Sequence, residues 1–290
     1  MQTVHINADS ALYSLEDEII TIEGNVSIRY GDLQVKGLRL VYSNTTHIAA
    51  LSGSPVTLTR GKTTTATAGR IEVDLDHGKA KAWDGVSVTH NDGPVSATFQ
   101  CEHLDLDYEN GEATARVGVD MTYRNRDREK AFKDNGGGGE PDGPAGDLQA
   151  MNVAVSPAHI TAGHMHYNFE TGAMRAGEVV RVELPELTLD ASDVRGNLED
   201  KRLEAAGGIR ANMDDMSARA GRASVDYGKR EAVFEQGVRA QRGADVMTGE
   251  RVIMDYTPGR RTVRVKGPVD IQLEIPQDTM DDGGGDSAPR

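Results

Sequence analysis

Apolar and polar residues alternate along most of the chain. The segments 32–42 (DLQVKGLRLVY) and 56–60 (VTLTR) place an apolar residue at every second position, which is the period of a strand with one buried face. The charged segment 124–134 (RNRDREKAFKD) lacks the apolar stripe of a packed helix. The pattern therefore predicts an all-β protein.

The alternating segments recur as one repeated phrase. Each copy reads as strand, turn with Asp and Gly, strand, glycine step and strand, as in ASVDYGKREAVFEQGVRA at 223–240. The aliphatic residue of the glycine step recurs about every 30 residues and marks eight copies: Val26, Val56, Val86, Val119, Val179, Ile209, Val238 and Val269. Because one copy cannot bury its own apolar face, the copies must stack, which predicts a β-solenoid. At about 4.8 Å per layer, eight layers predict a body of roughly 40 Å.

One segment interrupts the repeat. Residues 125–148 are rich in Gly, Pro and Asp and show no strand pattern, which predicts an exposed linker or loop. The linker divides the chain into repeats 1–4 (residues 1–124) and repeats 5–8 (residues 149–277). Residues 278–290 form an acidic segment that we expect to be a disordered tail.

Composition narrows the classes of function. The chain has 32 Lys and Arg against 46 Asp and Glu, a net charge of −14, which argues against a protein that binds nucleic-acid phosphates. The single cysteine excludes an intrachain disulfide. No apolar run reaches the ~18 residues of a membrane-spanning helix. The first residues lack a signal-peptide pattern, so the protein is either cytosolic or has lost a signal or an N-terminal anchor.

The first repeat resembles the OstA-like, LptA-type family of periplasmic lipopolysaccharide-transport proteins. The resemblance lies in VHINAD (4–9), ITIEGNV (20–26) and the alternating strand after them, and the later copies look like OstA-type repeats over 4–124 and 150–275. It implies an open V-shaped β-jellyroll, also called a β-taco, that holds lipid acyl chains in its groove. It also implies a periplasmic location, no cofactor and no catalytic residues. The chain differs from the family in its acidity and in having about twice the repeats, which suggests two fused modules.

Strand parity selects the residues that face the interior. The family's lipid-facing positions at VHI and ITIEGNVSI match Val4, Ile6, Ile20, Ile22, Val26 and Ile28. Parity adds Leu33, Val35, Val56, Leu58, Ile71, Val73, Val86, Val88, Phe99, Val119 and Met121. The same residues would equally fill a closed core, so the pattern leaves both an open lipid groove and a closed solenoid.

The two ends of the repeat array are candidate docking surfaces. The first strand begins in VHIN, the last is VDIQLEIP (269–276), and no capping helix precedes the first. Unpaired end strands are templates for another chain. We therefore expect end-to-end strand pairing with other OstA-like transport components, and the ends also allow head-to-tail self-association.

Motifs that suggest chemistry are weak. TRGKTTT (59–65) lacks the first glycine and the helix of a phosphate loop. His164 and His166, near His159, share a strand face but lack further metal ligands. Cys101 and His103 would also share a face, without an oxyanion hole or activating partner.

The sequence thus predicts a protein without enzymatic activity that carries lipopolysaccharide or a related glycolipid toward the outer membrane. The alternative is a structural β-solenoid for assembly or adhesion that binds no ligand.

Overall fold

The computed structural model describes residues 5–93, 95–125, 157–257 and 260–272. Within these ranges the regular structure is one antiparallel sheet of 18 strands, as the alternating pattern predicts. The strands are β1 His5–Asn7, β2 Ser10–Ser14, β3 Ile19–Tyr30, β4 Leu33–Ser43, β5 Ile48–Arg60, β6 Thr64–Asp74, β7 Lys79–Asp92, β8 Val95–Asp107, β9 Glu112–Asn125, β10 Ala158–Asn168, β11 Ala173–Leu184, β12 Leu187–Asn197, β13 Arg202–Met213, β14 Met216–Asp226, β15 Glu231–Arg242, β16 Asp245–Thr257, β17 Arg260–Lys266 and β18 Asp270–Gln272.

Each strand pairs with its neighbours in sequence, so the chain runs back and forth along the sheet. Four-residue turns such as 44–47 and 227–230 lie along one edge, and two-residue turns such as 31–32 and 214–215 lie along the other. We call these the long-turn edge and the short-turn edge. The turn at 227–230 is the one that DYGKRE predicts, because Asp and Gly favour tight reversals.

A bulge divides each long strand into two legs. In β15 the pairing with β16 shifts register between Glu235 and Val238, and Gln236 and Gly237 between them have left-handed φ values of 70° and 69°. Glycine adopts this conformation without the steric cost of a side chain, as the bend predicted at EQGV requires. The first leg adjoins the long-turn edge and the second leg adjoins the short-turn edge.

The bulges keep one face of the sheet inward in both legs. Successive buried residues across the bend are four apart in β3, from Ile22 to Val26, and three apart in β6, from Ala68 to Ile71. The inward residues of both legs form one hydrophobic cluster. The fold is therefore the V-shaped β-jellyroll solenoid expected from the repeats, with its core between the legs.

The stack is longer than the sequence predicted. Because every strand crosses both legs, each repeat of two strands adds two layers. With β1 and β2 forming one end layer and β17 and β18 the other, sixteen layers extend about 70 Å. The prediction of 40 Å was wrong because it assigned one layer to each repeat.

The fifth repeat corrects one predicted position. Val179 is 88% exposed, whereas Val180 is 1% exposed. Glu178 and Val179 occupy the two left-handed positions of the bulge, with φ values of 61° and 60°. The inward aliphatic residue of this repeat is therefore Val180, one position later than the repeat pattern indicated.

The sheet continues across the interrupted repeat. Strands β9 and β10 pair from Tyr123 opposite Ala158 to Glu112 opposite Asn168. Asn125, which was predicted to begin the linker, is the last residue of β9. The rest of the predicted linker and the predicted tail lie outside the described residues.

Candidate functional site

The structure places the predicted lining residues on the inner surface of the first four repeats. The buried ones are Ile22, Val26, Val35, Val56, Ile71, Val86, Phe99, Val119 and Met121. The half-buried ones that pack against them are Ile20, Ile28, Leu33, Leu58, Val73 and Val88. Ile6 lies opposite Ile28 on the end strand β1 and is 43% exposed. Val4 lies outside the described residues.

The half-buried positions mark an open mouth in the first three repeats. They sit on the inward face near both edges of the sheet, where the two legs are farthest from the bend. Among the described residues, fourteen partly buried hydrophobic residues pack against the core. Ten of them lie between residues 20 and 106: Ile20, Ile28, Leu33, Ala49, Leu58, Val73, Val88, Val95, Ala97 and Leu106. An apolar groove along this section is therefore in contact with solvent.

The mouth closes from β9 onward. Tyr123 on the second leg is 3% exposed and Tyr167 on the first leg is 6% exposed. Burial raises the pKa of Tyr167, and the nearby Tyr123 raises it further. Tyr167 also packs edge-to-face on Phe169 with 5.1 Å between ring centroids. Aromatic side chains are thus buried near both edges of the sheet.

In the later repeats the two edges of the folded sheet also remain close together. Leu184, Leu187 and Met213 are buried at the short-turn edge. Tyr256, at the long-turn edge, is 2% exposed, and burial is the main cause that raises its pKa. Because side chains near both edges are buried, the later repeats form a closed sandwich.

On the inner face of these later repeats, sequence reasoning named Ile209 and Val238 as repeat positions and missed the other residues. The buried residues of this face include Ile160, Met165, Met174, Val180, Val182, Leu187, Leu189, Val194, Leu203, Ile209, Phe234, Val238, Val252 and Met254. The same period of two would have found them.

The interior is lined mainly by apolar side chains, with buried tyrosine hydroxyl groups at Tyr123 and Tyr256. Among the described residues, no polar or charged residue is buried. On the outer surface, Arg195 and Arg222 both bond Glu204, at 2.7 and 3.2 Å. These hydrogen bonds lower the pKa of Glu204. Such an interior suits alkyl chains, which need no polar partner.

His159 joins three strands beside the interrupted repeat. Its Nε2 lies 3.0 Å from Asp120 on β9 and its Nδ1 lies 3.1 Å from Glu183 on β11. Burial opposes protonation, but the hydrogen bonds to Glu183 and Asp120 outweigh it and raise the pKa of His159. The residue therefore acts as a structural clamp on the outer surface.

The other candidate chemistry does not assemble. His164 lies near Glu178 and His166 near Glu112, on the outer surface. The described part of the chain contains no group of three or more residues able to hold a metal ion. It also contains no helix long and apolar enough to cross a membrane.

Cys101 and His103 do not share a face, which corrects the prediction. The β8–β9 register shifts between Gln100 and His103, so Cys101 is buried and His103 points outward. Burial raises the pKa of Cys101 to about 11. The thiol is thus a core residue.

Comparison with solved structures gives a partial match. LptH of Pseudomonas aeruginosa, described as the LptA-homologous periplasmic component of a lipopolysaccharide transport device, is similar at 19% identity with a TM-score of 0.34. The match covers 37% of this chain and 77% of LptH. No protein-family model matches the chain, and no curated protein matches it.

Proposed function

We propose that this protein binds the acyl chains of a lipid in the open groove of its first three repeats. The observation that carries the proposal is the row of half-buried apolar residues along the mouth, which pack against a hydrophobic core. Each CH₂ group moved from water into such a groove contributes about 0.8 kcal/mol. The activity that we propose is binding and transfer of the lipid.

The lipid we propose is lipopolysaccharide or a related glycolipid, carried through the periplasm toward the outer membrane. The support is the resemblance of VHINAD and ITIEGNV to OstA-like repeats. The V-shaped sheet is compatible with this role.

Photo-crosslinking tests the groove directly. A photoreactive amino acid replaces Leu58, which faces the groove, or Thr57, the adjacent outward residue, and the protein is mixed with purified lipopolysaccharide. We expect lipid adducts at position 58 and none at 57. Absence of adducts at both positions would reject the lipid groove.

That negative result would favour a structural solenoid without a ligand. The observation that supports this second candidate is the closed core of the later repeats, where Leu189, Val194 and Phe234 have no exposed surface.

We further propose that the protein pairs end to end with another OstA-like component or with a second copy. Strands β2 and β17 form the first-leg ends of the sheet, and each has one described partner strand. They run in opposite directions, so β17 beside β2 would continue the antiparallel order. The turn after β2 contains Glu16, Asp17 and Glu18, while β17 reads RRTVRVK. The opposite charges favour this pairing.

Sedimentation at increasing protein concentration tests self-pairing. We expect Arg260→Glu combined with Arg261→Glu, at the end of β17 nearest the long-turn edge, to weaken association, and a partner copy with Glu16→Lys and Asp17→Lys to restore it. If neither set of substitutions changes the strength of association, this interface is wrong.

A further inference from the structure

The inward residues beside the short-turn edge, which we call the lip of the second leg, change from polar to apolar along the stack. Arg60, Thr64 and His90 lie opposite one another on β5, β6 and β7, with Arg60 paired to Thr64 and Thr64 paired to His90. Arg60 is also paired with the inward residue Leu33, so this row lies on the groove side of the sheet. The three residues therefore form a polar lip directly above the open apolar interior.

The geometry of the polar lip leaves donor groups available. The Thr64 hydroxyl lies 2.8 Å from His90 Nδ1, which leaves the imidazole Nε2 free of this contact. Arg60 is exposed and makes a long ion pair of 3.7 Å with Asp32. Lys62 follows in the adjoining turn at 61–63. Cationic and neutral donors thus converge where the groove meets water.

The equivalent positions in the closed repeats are apolar. Tyr123, Leu184, Leu187 and Met213 occupy this row and are buried. A polar lip thus coincides with the open part of the groove, and an apolar lip coincides with the closed part.

We propose that Arg60, Thr64 and His90 bind the phosphate of the lipid whose acyl chains occupy the groove; this proposal rests on the proposed function. A guanidinium group binds phosphate through paired hydrogen bonds, and the hydrogen-bonded Thr64–His90 pair supplies one further neutral donor. Because a phosphate loses much hydration energy if buried without partners, it must stay at the water boundary while the chains enter the groove. The polar lip provides that boundary and the complementary charge.

The test compares lipid A with the same lipid after enzymatic removal of its phosphates. Affinities of the full-length protein for both are measured by fluorescence titration below the aggregation concentration. We expect wild type to bind the phosphorylated form more tightly. We expect Arg60→Ala to lower affinity for that form about tenfold and to leave affinity for the dephosphorylated form unchanged.

The matched control is Arg39→Ala. Arg39 is an exposed arginine on the outer surface of the first leg, 3.1 Å from Glu23, and we expect its loss to change neither affinity. Thr64→Val should weaken binding of the phosphorylated form less than Arg60→Ala, because it removes one neutral donor. Circular dichroism confirms that each variant keeps its strand content.

The possible results separate the two proposals. Equal loss of both lipids in Arg60→Ala, or no loss, overturns the phosphate site while the groove stands. Failure of wild type to bind either lipid overturns both proposals. Inorganic phosphate that binds as tightly as the phosphorylated lipid would identify a free-phosphate site and would also overturn the headgroup assignment.

Discussion

Tyr123 and Tyr167 lie on paired strands but near opposite edges of the sheet. Tyr123 is opposite Ala158, and Tyr167 is nine residues further along β10, a distance of about 30 Å in a straight strand. Both side chains are nevertheless buried, with exposed fractions of 3% for Tyr123 and 6% for Tyr167. A flat sheet would expose side chains at its two edges, so the burial of both tyrosines shows the V shape and the closure of its mouth.

Tyr167→Ala should destabilise the protein by about 3 kcal/mol, because it removes a buried aromatic ring from the closed mouth. Urea denaturation measures the loss. Tyr13→Ala is the control, since Tyr13 lies at the open end and is exposed; its cost should stay below about 1 kcal/mol. Similar costs for the two substitutions would contradict a closed mouth at Tyr167.

An aspartate should be tolerated in the open groove and not in the closed one. Leu58→Asp keeps its carboxylate near water, so we expect the strand content to persist while lipid capture falls. Leu189→Asp buries a charge without a partner, which should unfold the later repeats. Circular dichroism and lipid binding check both variants. Unfolding by Leu58→Asp would mean that the first repeats are closed as well.

Val179→Gly should stabilise the protein by about 1 kcal/mol, because a β-branched residue with left-handed backbone is strained and glycine is not. Val179 is exposed, so the substitution loses little packing. Val180→Gly, at the buried neighbour, should instead be strongly destabilising. Thermal denaturation of the two variants compares them; a lower melting temperature for Val179→Gly would refute the assigned bulge.

Stability should depend on pH through His159. Its pKa is raised above the ordinary 6.5, so its contribution is complete below that value and is lost as pH rises through the folded-state pKa. The difference in unfolding free energy between wild type and His159→Gln should therefore be larger near about pH 5.5 than near about pH 8.5. Urea titrations across this range measure it. A difference that grows with pH would contradict the clamp formed with Asp120 and Glu183.

The sequence predicts the repeat, the alternation and the bend because each is a local property. The step at EQGV and the turn at DYGKRE both occur where the pattern indicates. The pattern predicted the wrong face for Val179 and for the Cys101–His103 pair. The number of residues in the bulge differs by one between strands, and a difference of one residue exchanges the inward and outward faces. It could not distinguish the open repeats from the closed ones, since that depends on the burial of Tyr123 and Tyr167 near opposite edges of the sheet.

The pairing of β9 with β10 has a consequence for how the chain can be divided. Ten residue pairs hold these strands in register, with His159 bonded to Asp120 across them, although 126–156 intervenes in sequence. The covalent connection is thus not what aligns the two sets of repeats. If the chain is expressed as two fragments divided within 126–156, the fragments should bind each other through the pairing of β9 with β10 and reassemble as a split protein.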